Sequence, residues 1–124
     1  MKDNLLEIKN LSIVSPYAKN NILNQVSFEI QRGKITGVVG ESGSGKSICM
    51  LSIMRLLPPG LKIPEGEIIY STTNAQCDLL KLNHKEINNL RGKTFSMIFQ
   101  DPMASLNPFM KCGHQVNEGF KTHT

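Results

Sequence analysis

The chain has 124 residues, of which 40% are hydrophobic, and a formal net charge of +4. That length suffices for one modest domain with a small core. The charge comes from Lys and Arg scattered along the chain, which excludes the run of like charge that marks a nucleic-acid-binding arm. No apolar run approaches the roughly eighteen residues of a membrane span, and the first residues lack the apolar stretch of a secretory leader, so the chain is expected neither to cross a membrane nor to be secreted.

In chain order, residues 5–14 alternate roughly between apolar and polar and predict a half-exposed strand, followed by a loop over 15–21. Residues 22–30, with Ile22, Val26, Phe28 and Ile30 separated by polar residues, predict an antiparallel partner with one wet face. Gln31, Arg32, Gly33 and Lys34 form a turn into 35–39, a short apolar run that predicts a buried strand. A largely buried helix is expected over 48–57 and is stopped by Pro58, Pro59 and Gly60. Beyond it, 66–70 predicts a short strand, 71–78 a polar loop, 83–91 a weak helix, and 94–99 a compact apolar strand ending at Gln100. No internal repeat, low-complexity tract or dividing linker is visible.

Between the strand at 35–39 and the helix at 48–57 lies GESGSGKS, residues 40–47, which satisfies every fixed position of the G-x-x-x-x-G-K-[ST] phosphate-binding loop. Gly40, Gly43 and Gly45 let consecutive backbone N–H groups turn toward phosphate oxygens, while Glu41, Ser42 and Ser44 fill the variable positions of the cradle. Lys46 is placed to reach the β- and γ-phosphates, and the Ser47 hydroxyl to ligate Mg²⁺. Strand, cradle and helix in this order predict a nucleotide-binding site at the positive end of a helix. Cys49, Cys77 and Cys112 are an odd number without C-x-x-C spacing or a suitably placed His, so free thiols in a reducing compartment are expected.

A phosphate loop followed by MIFQDPMASLNP, residues 97–108, resembles the ATP-binding subunit of an ABC transporter, and more narrowly the oligopeptide and dipeptide importer ATPases, a group that includes nickel importers. The second stretch is the more specific of the two, because phosphate loops are shared by many unrelated NTPases. Softer agreement comes from Leu56-Leu57-Pro58, Gly66-Glu67-Ile68, Leu90-Arg91-Gly92, and Gln115 with Glu118. The likeness runs through the whole chain. It implies an α/β P-loop NTPase core with an N-terminal antiparallel β layer. Residues 1–124 would then be the N-terminal portion of a single nucleotide-binding domain, truncated after the Q-loop at the start of the helical subdomain.

The resemblance further implies ATP and Mg²⁺ as cofactors, Gln100 as the Q-loop glutamine that senses the γ-phosphate, the attacking water and the Mg²⁺, and Tyr17, 29 positions before Lys46, as the aromatic that stacks on adenine. It implies a second ATPase subunit and transmembrane permease subunits as partners, no nucleic acid, and a place on the cytoplasmic face of the cell membrane. In that family the hydrolysis machinery lies mostly downstream of the Q-loop, and residues 1–124 contain no LSGGQ motif and no apolar strand ending in Asp-Glu, so this stretch is not expected to hydrolyse ATP alone. Asp101 follows an apolar run as a Walker B acid would, but the succeeding residues fit the Q-loop better. His84, His114 and His123 sit in polar or terminal stretches and are expected to be surface histidines.

Two readings of function follow: an energy-coupling ATPase of a peptide or nickel importer, or a nucleotide-binding fragment without catalysis. A small-molecule kinase sharing only the phosphate loop would leave FQDPMASLNP unexplained. Without neighbouring parallel strands to cover residues 35–39, marginal stability is expected.

Overall fold

The computed structural model describes residues 3–123, so residues 1, 2 and 124 of the expected domain lie outside it. The chain divides after Asn83 into two compact units. The first holds an antiparallel four-stranded sheet of β1 (Asn4–Val14), β2 (Leu23–Gln31), β3 (Lys62–Ser71) and β4 (Gln76–Asp78), in the spatial order β2-β1-β3-β4, with α1 (Lys46–Ile53) between β2 and β3 in the chain. The second holds α2 (His84–Leu90), a 3₁₀ turn (Met103–Ser105) and α3 (Cys112–His123).

β1 is the middle of the sheet because its apolar residues find partners on both sides. Ile8 faces Phe28 of β2 and Ile68 of β3, and Ile8, Leu11, Ile13, Ile68 and Leu79 are fully buried. Each such side chain contributes about 1.5–3 kcal/mol on leaving water. The simple alternation expected along β1 breaks at Lys9 and Asn10, where the register with both neighbours shifts and Asn10 and Gln25 adopt φ of 47° and 48°.

This bulge turns Ser12 into the interior. There its Oγ donates to Glu65 Oε1 at 2.8 Å and accepts from the Gln25 amide at 3.0 Å. Ser12→Ala is therefore expected to cost about 1–3 kcal/mol, the penalty of orphaning a buried donor. Urea unfolding checks this, and a change under about 0.5 kcal/mol would mean that the bulge is held by the strands alone.

Four expected elements differ. The helix expected over 48–57 starts at Lys46 and ends at Ile53, because Arg55 takes a left-handed φ of 52° while the Arg55 amide bonds the Ser52 carbonyl and the Leu56 amide the Leu51 carbonyl. That pair of bonds is the Schellman closure, here without a glycine. The expected polar loop at 71–78 contains β4, which continues the sheet by pairing Tyr70 with Cys77. Residues 35–39 and 94–99, both expected as buried strands, lie outside every strand. Ile35 is fully exposed, Val39 is 94% exposed and Ile98 is also exposed. A run apolar on both faces suits burial between parallel neighbours, and every strand pair among the described residues is antiparallel.

Candidate phosphate-binding site

Residues 40–47 form the loop that the motif predicts. Gly43 and Gly45 adopt φ of 81° and 89°, in the region that only glycine enters freely, and Gly45 is the N-cap of α1. The absence of a Cβ at Gly45 matters for packing as well: one built there would stand 2.6 Å from Leu23 Cδ2 and 3.2 Å from the Ile22 carbonyl oxygen. The start of β2 thus presses directly on the junction of loop and helix. Neither Ile22 nor Leu23 was singled out from the sequence as a support of the loop, although Leu23 is the buried first residue of its strand.

Lys46 folds back over the loop. Its Nζ donates to the carbonyl oxygens of Gly40 and Glu41, both at 2.7 Å, and to Ser44 Oγ at 3.2 Å. The ammonium is held at the centre of the cradle by acceptors that an anion can replace. The first-turn amides of α1 have no intrahelical acceptor, and no acidic side chain lies in that turn to cancel the helix dipole. Ile22 and residues 43–48 line a cleft of about 180 Å³ beside these groups. Free amides, a cation and a carboxylate-free first turn fit a phosphate chain. The exposed Ser47 opens α1 next to Lys46, where a hydroxyl can join a cation bridged by phosphate oxygens.

Tyr17 lies in the β1–β2 loop, 95% exposed, with its backbone amide bonded to Ser15 Oγ at 3.2 Å. Gln100 is exposed on a bend in the second unit. The residues after it are tied down locally. Asp101 Oδ1 accepts from the Met103 and Ala104 amides at 3.1 and 3.3 Å, opening the 3₁₀ turn. Gln115 of α3 donates from Nε2 to the Asn107 and Met110 carbonyls and accepts from the Asn107 amide. An Asp before Pro is a recognisable turn signal, and it accounts for Asp101 without a metal. Among the described residues no cluster of three or more His, Cys, Asp or Glu is placed to hold a metal ion.

All three cysteines are free, with Cys49 buried in α1, Cys77 half-buried and Cys112 exposed. Burial pushes the Cys49 thiol above its ordinary range, so it stays protonated at neutral pH. A thiol-reactive disulfide reagent is expected to label Cys112 first and Cys49 last, at least about tenfold more slowly, with mass spectrometry of timed digests giving the order. Equal rates would mean that α1 opens readily.

The ABC transporter family pattern matches residues 23–122, which takes in the phosphate loop and the second unit up to residue 122. The chain belongs to the ABC transporter family. Among its curated relatives, the dipeptide transport ATP-binding protein DppD of Lactococcus lactis is 40% identical over 98% of this chain and 34% of its own length. The oligopeptide transport ATP-binding protein OppD of Bacillus subtilis is 43% identical over 96% of this chain and 33% of its own. OppD of Escherichia coli is 40% identical over 98% and 35%. This ABC transporter chain thus spans about a third of the length of the relatives it matches. No helix among the described residues is long and apolar enough to cross a membrane.

Proposed function

We propose that this chain is the ATP-binding part of a di- or oligopeptide importer, forming the N-terminal portion of one nucleotide-binding domain and coupling ATP binding to transport. The observation that carries the reading is Lys46 held on the Gly40 and Glu41 carbonyls at the mouth of α1, in a family whose similar members bear the names of dipeptide and oligopeptide transport proteins. In this reading the amides of residues 43–47 and Lys46 bind the triphosphate, Ser47 holds Mg²⁺ with phosphate oxygens, Tyr17 stacks on adenine and Gln100 meets the γ-phosphate side. Bound Mg²⁺ would supply charge neutralisation at the phosphates. The partners are a second ATPase subunit and the permease subunits, which would keep the protein at the cytoplasmic face of the membrane.

A second reading, nucleotide binding without turnover, is favoured by Asp101, whose carboxylate is engaged in capping the 3₁₀ turn. Paired measurements of ATP binding and phosphate release on the purified chain separate the two. Binding with release above background supports the coupling ATPase. Binding without release supports the second reading, and absence of binding overturns both.

A further inference from the structure

Beyond the C-terminal end of α1, the first unit holds a cleft of about 450 Å³ that the nucleotide reading leaves unused. Leu57, Leu61, Ile63 and Leu80, all half-buried, give it an apolar wall where the chain passes from α1 to β3 and where it leaves β4. Four charged residues complete the lining, and their bonding sorts them into two kinds. Asp78 and Lys81 belong to the framework. Asp78 Oδ1 accepts from the Ile68 and Leu80 amides at 3.2 and 3.1 Å, its Oδ2 stands 3.2 Å from Lys81 Nζ, and its side chain is only 8% exposed. Glu65 is held differently: its Oε1 accepts from the buried Ser12 at 2.8 Å, which orients the carboxylate, while Oε2 takes no hydrogen bond among the described residues. Arg55 is oriented by donating from Nη1 to the Leu82 carbonyl, a neutral acceptor. A guanidinium carries five N–H donors in a planar fork that matches a carboxylate.

An oriented anion, an oriented cation and an apolar wall together exclude simpler ligands. A bare anion meets two carboxylates in this lining, and a divalent cation lacks its donor set, since no three His, Cys, Asp or Glu are placed to hold a metal among the described residues. A wholly apolar molecule would strip water from Glu65 and Arg55 and return no partner to either. At about 30 Å³ for each water-sized group, the cleft takes roughly fifteen non-hydrogen atoms, too few for a nucleoside triphosphate. We propose that this cleft binds a small zwitterion with an aliphatic side chain, its ammonium on Glu65 Oε2, its carboxylate on Arg55 and its side chain against Leu57, Leu61, Ile63 and Leu80. Free amino acids and short peptides share that chemistry. The cleft shares no lining residue with the phosphate loop, so the proposal goes beyond the nucleotide reading and does not depend on it.

Calorimetric titration of the purified chain with leucine and with leucyl-leucine, without ATP, tests this. The expected result is saturable binding of one equivalent of at least one of them, with a dissociation constant below about 1 mM. The tighter of the two names the source, a free amino acid or a peptide, and either supports the proposal. N-acetyl-leucine amide keeps the side chain but neither charge, and should bind at least about tenfold more weakly than the preferred ligand. Glu65→Gln keeps an oxygen that can accept from Ser12 and loses only the charge, so it should weaken binding about tenfold while the urea midpoint stays in place. Arg55→Gln should weaken binding by a similar factor. In nuclear magnetic resonance spectra of the same titration, the amides that shift should be those of residues 55–66 and 78–81. No saturable binding, equal affinity for the uncharged analogue, full affinity in either variant, or shifts confined to residues 40–47 overturns the proposal. Loss of ATP binding leaves this result untouched, because no ATP enters the titration.

Discussion

Replacing Lys46 by alanine is expected to weaken ATP binding about 100-fold, because hydrogen bonds to a charged group contribute about 1.5–3 kcal/mol each and a tenfold change in affinity is about 1.4 kcal/mol. The structure gives this side chain two tasks. It ties Gly40, Glu41 and Ser44 into one turn, and it carries the only cation in contact with the carbonyls of that turn among the described residues. The bonds it makes are exposed, so water can replace them in the variant and the thermal midpoint should move by no more than a few degrees. Lys46→Arg keeps the charge but cannot place a compact ammonium between two carbonyls, and should fall between wild type and alanine. Titration of the purified proteins with ATP checks the series. An alanine variant within about threefold of wild type would remove Lys46 from the site.

Gly66→Ala is expected to be the most damaging single methyl in the fold, at about 3–5 kcal/mol. Gly66 sits in β3 at φ 117°, and a Cβ there would stand 2.7 Å from Leu11 Cα, 3.0 Å from the Asn10 carbonyl oxygen and 3.1 Å from the Leu11 amide nitrogen. All three are backbone atoms of the bulged centre of β1, which cannot rotate aside as a side chain can. Conformational strain of about 1–3 kcal/mol adds to overpacking of similar size. Against a typical total of about 5–15 kcal/mol, that leaves little of the folded state. Gly33→Ala is the control, because Gly33 also has positive φ, 68°, yet nothing lies within 4 Å of its Cβ position. It should cost about 1–2 kcal/mol from conformation alone. Equal midpoints for the two variants in urea would mean that β1 yields near Asn10.

Much of the site was legible in order along the chain, because a phosphate loop depends on residue types at fixed spacing: glycines where φ is positive, a lysine long enough to fold back, and a helix directly after. The first two strands were legible for a similar reason, since Val26, Phe28 and Ile30 repeat with the period of a strand that is wet on one face. β4 escaped notice because it has three residues and takes its direction from Tyr70 across the ladder, not from any pattern of its own. α1 ends early, at Ile53, because its closure uses Arg55, a left-handed non-glycine residue, for which composition carries no signal.

The sequence by itself determined the family and the course of residues 40–47 into α1, since these follow from motif residues whose backbone demands are local. Only the tertiary structure decided which apolar segments are core. Residues 6, 8, 11, 13 and 68 are buried because antiparallel partners stand beside them, whereas 35 and 39, equally apolar, remain in water for want of such partners. Burial belongs to pairs of segments, and hydrophobicity alone names only one member of each pair.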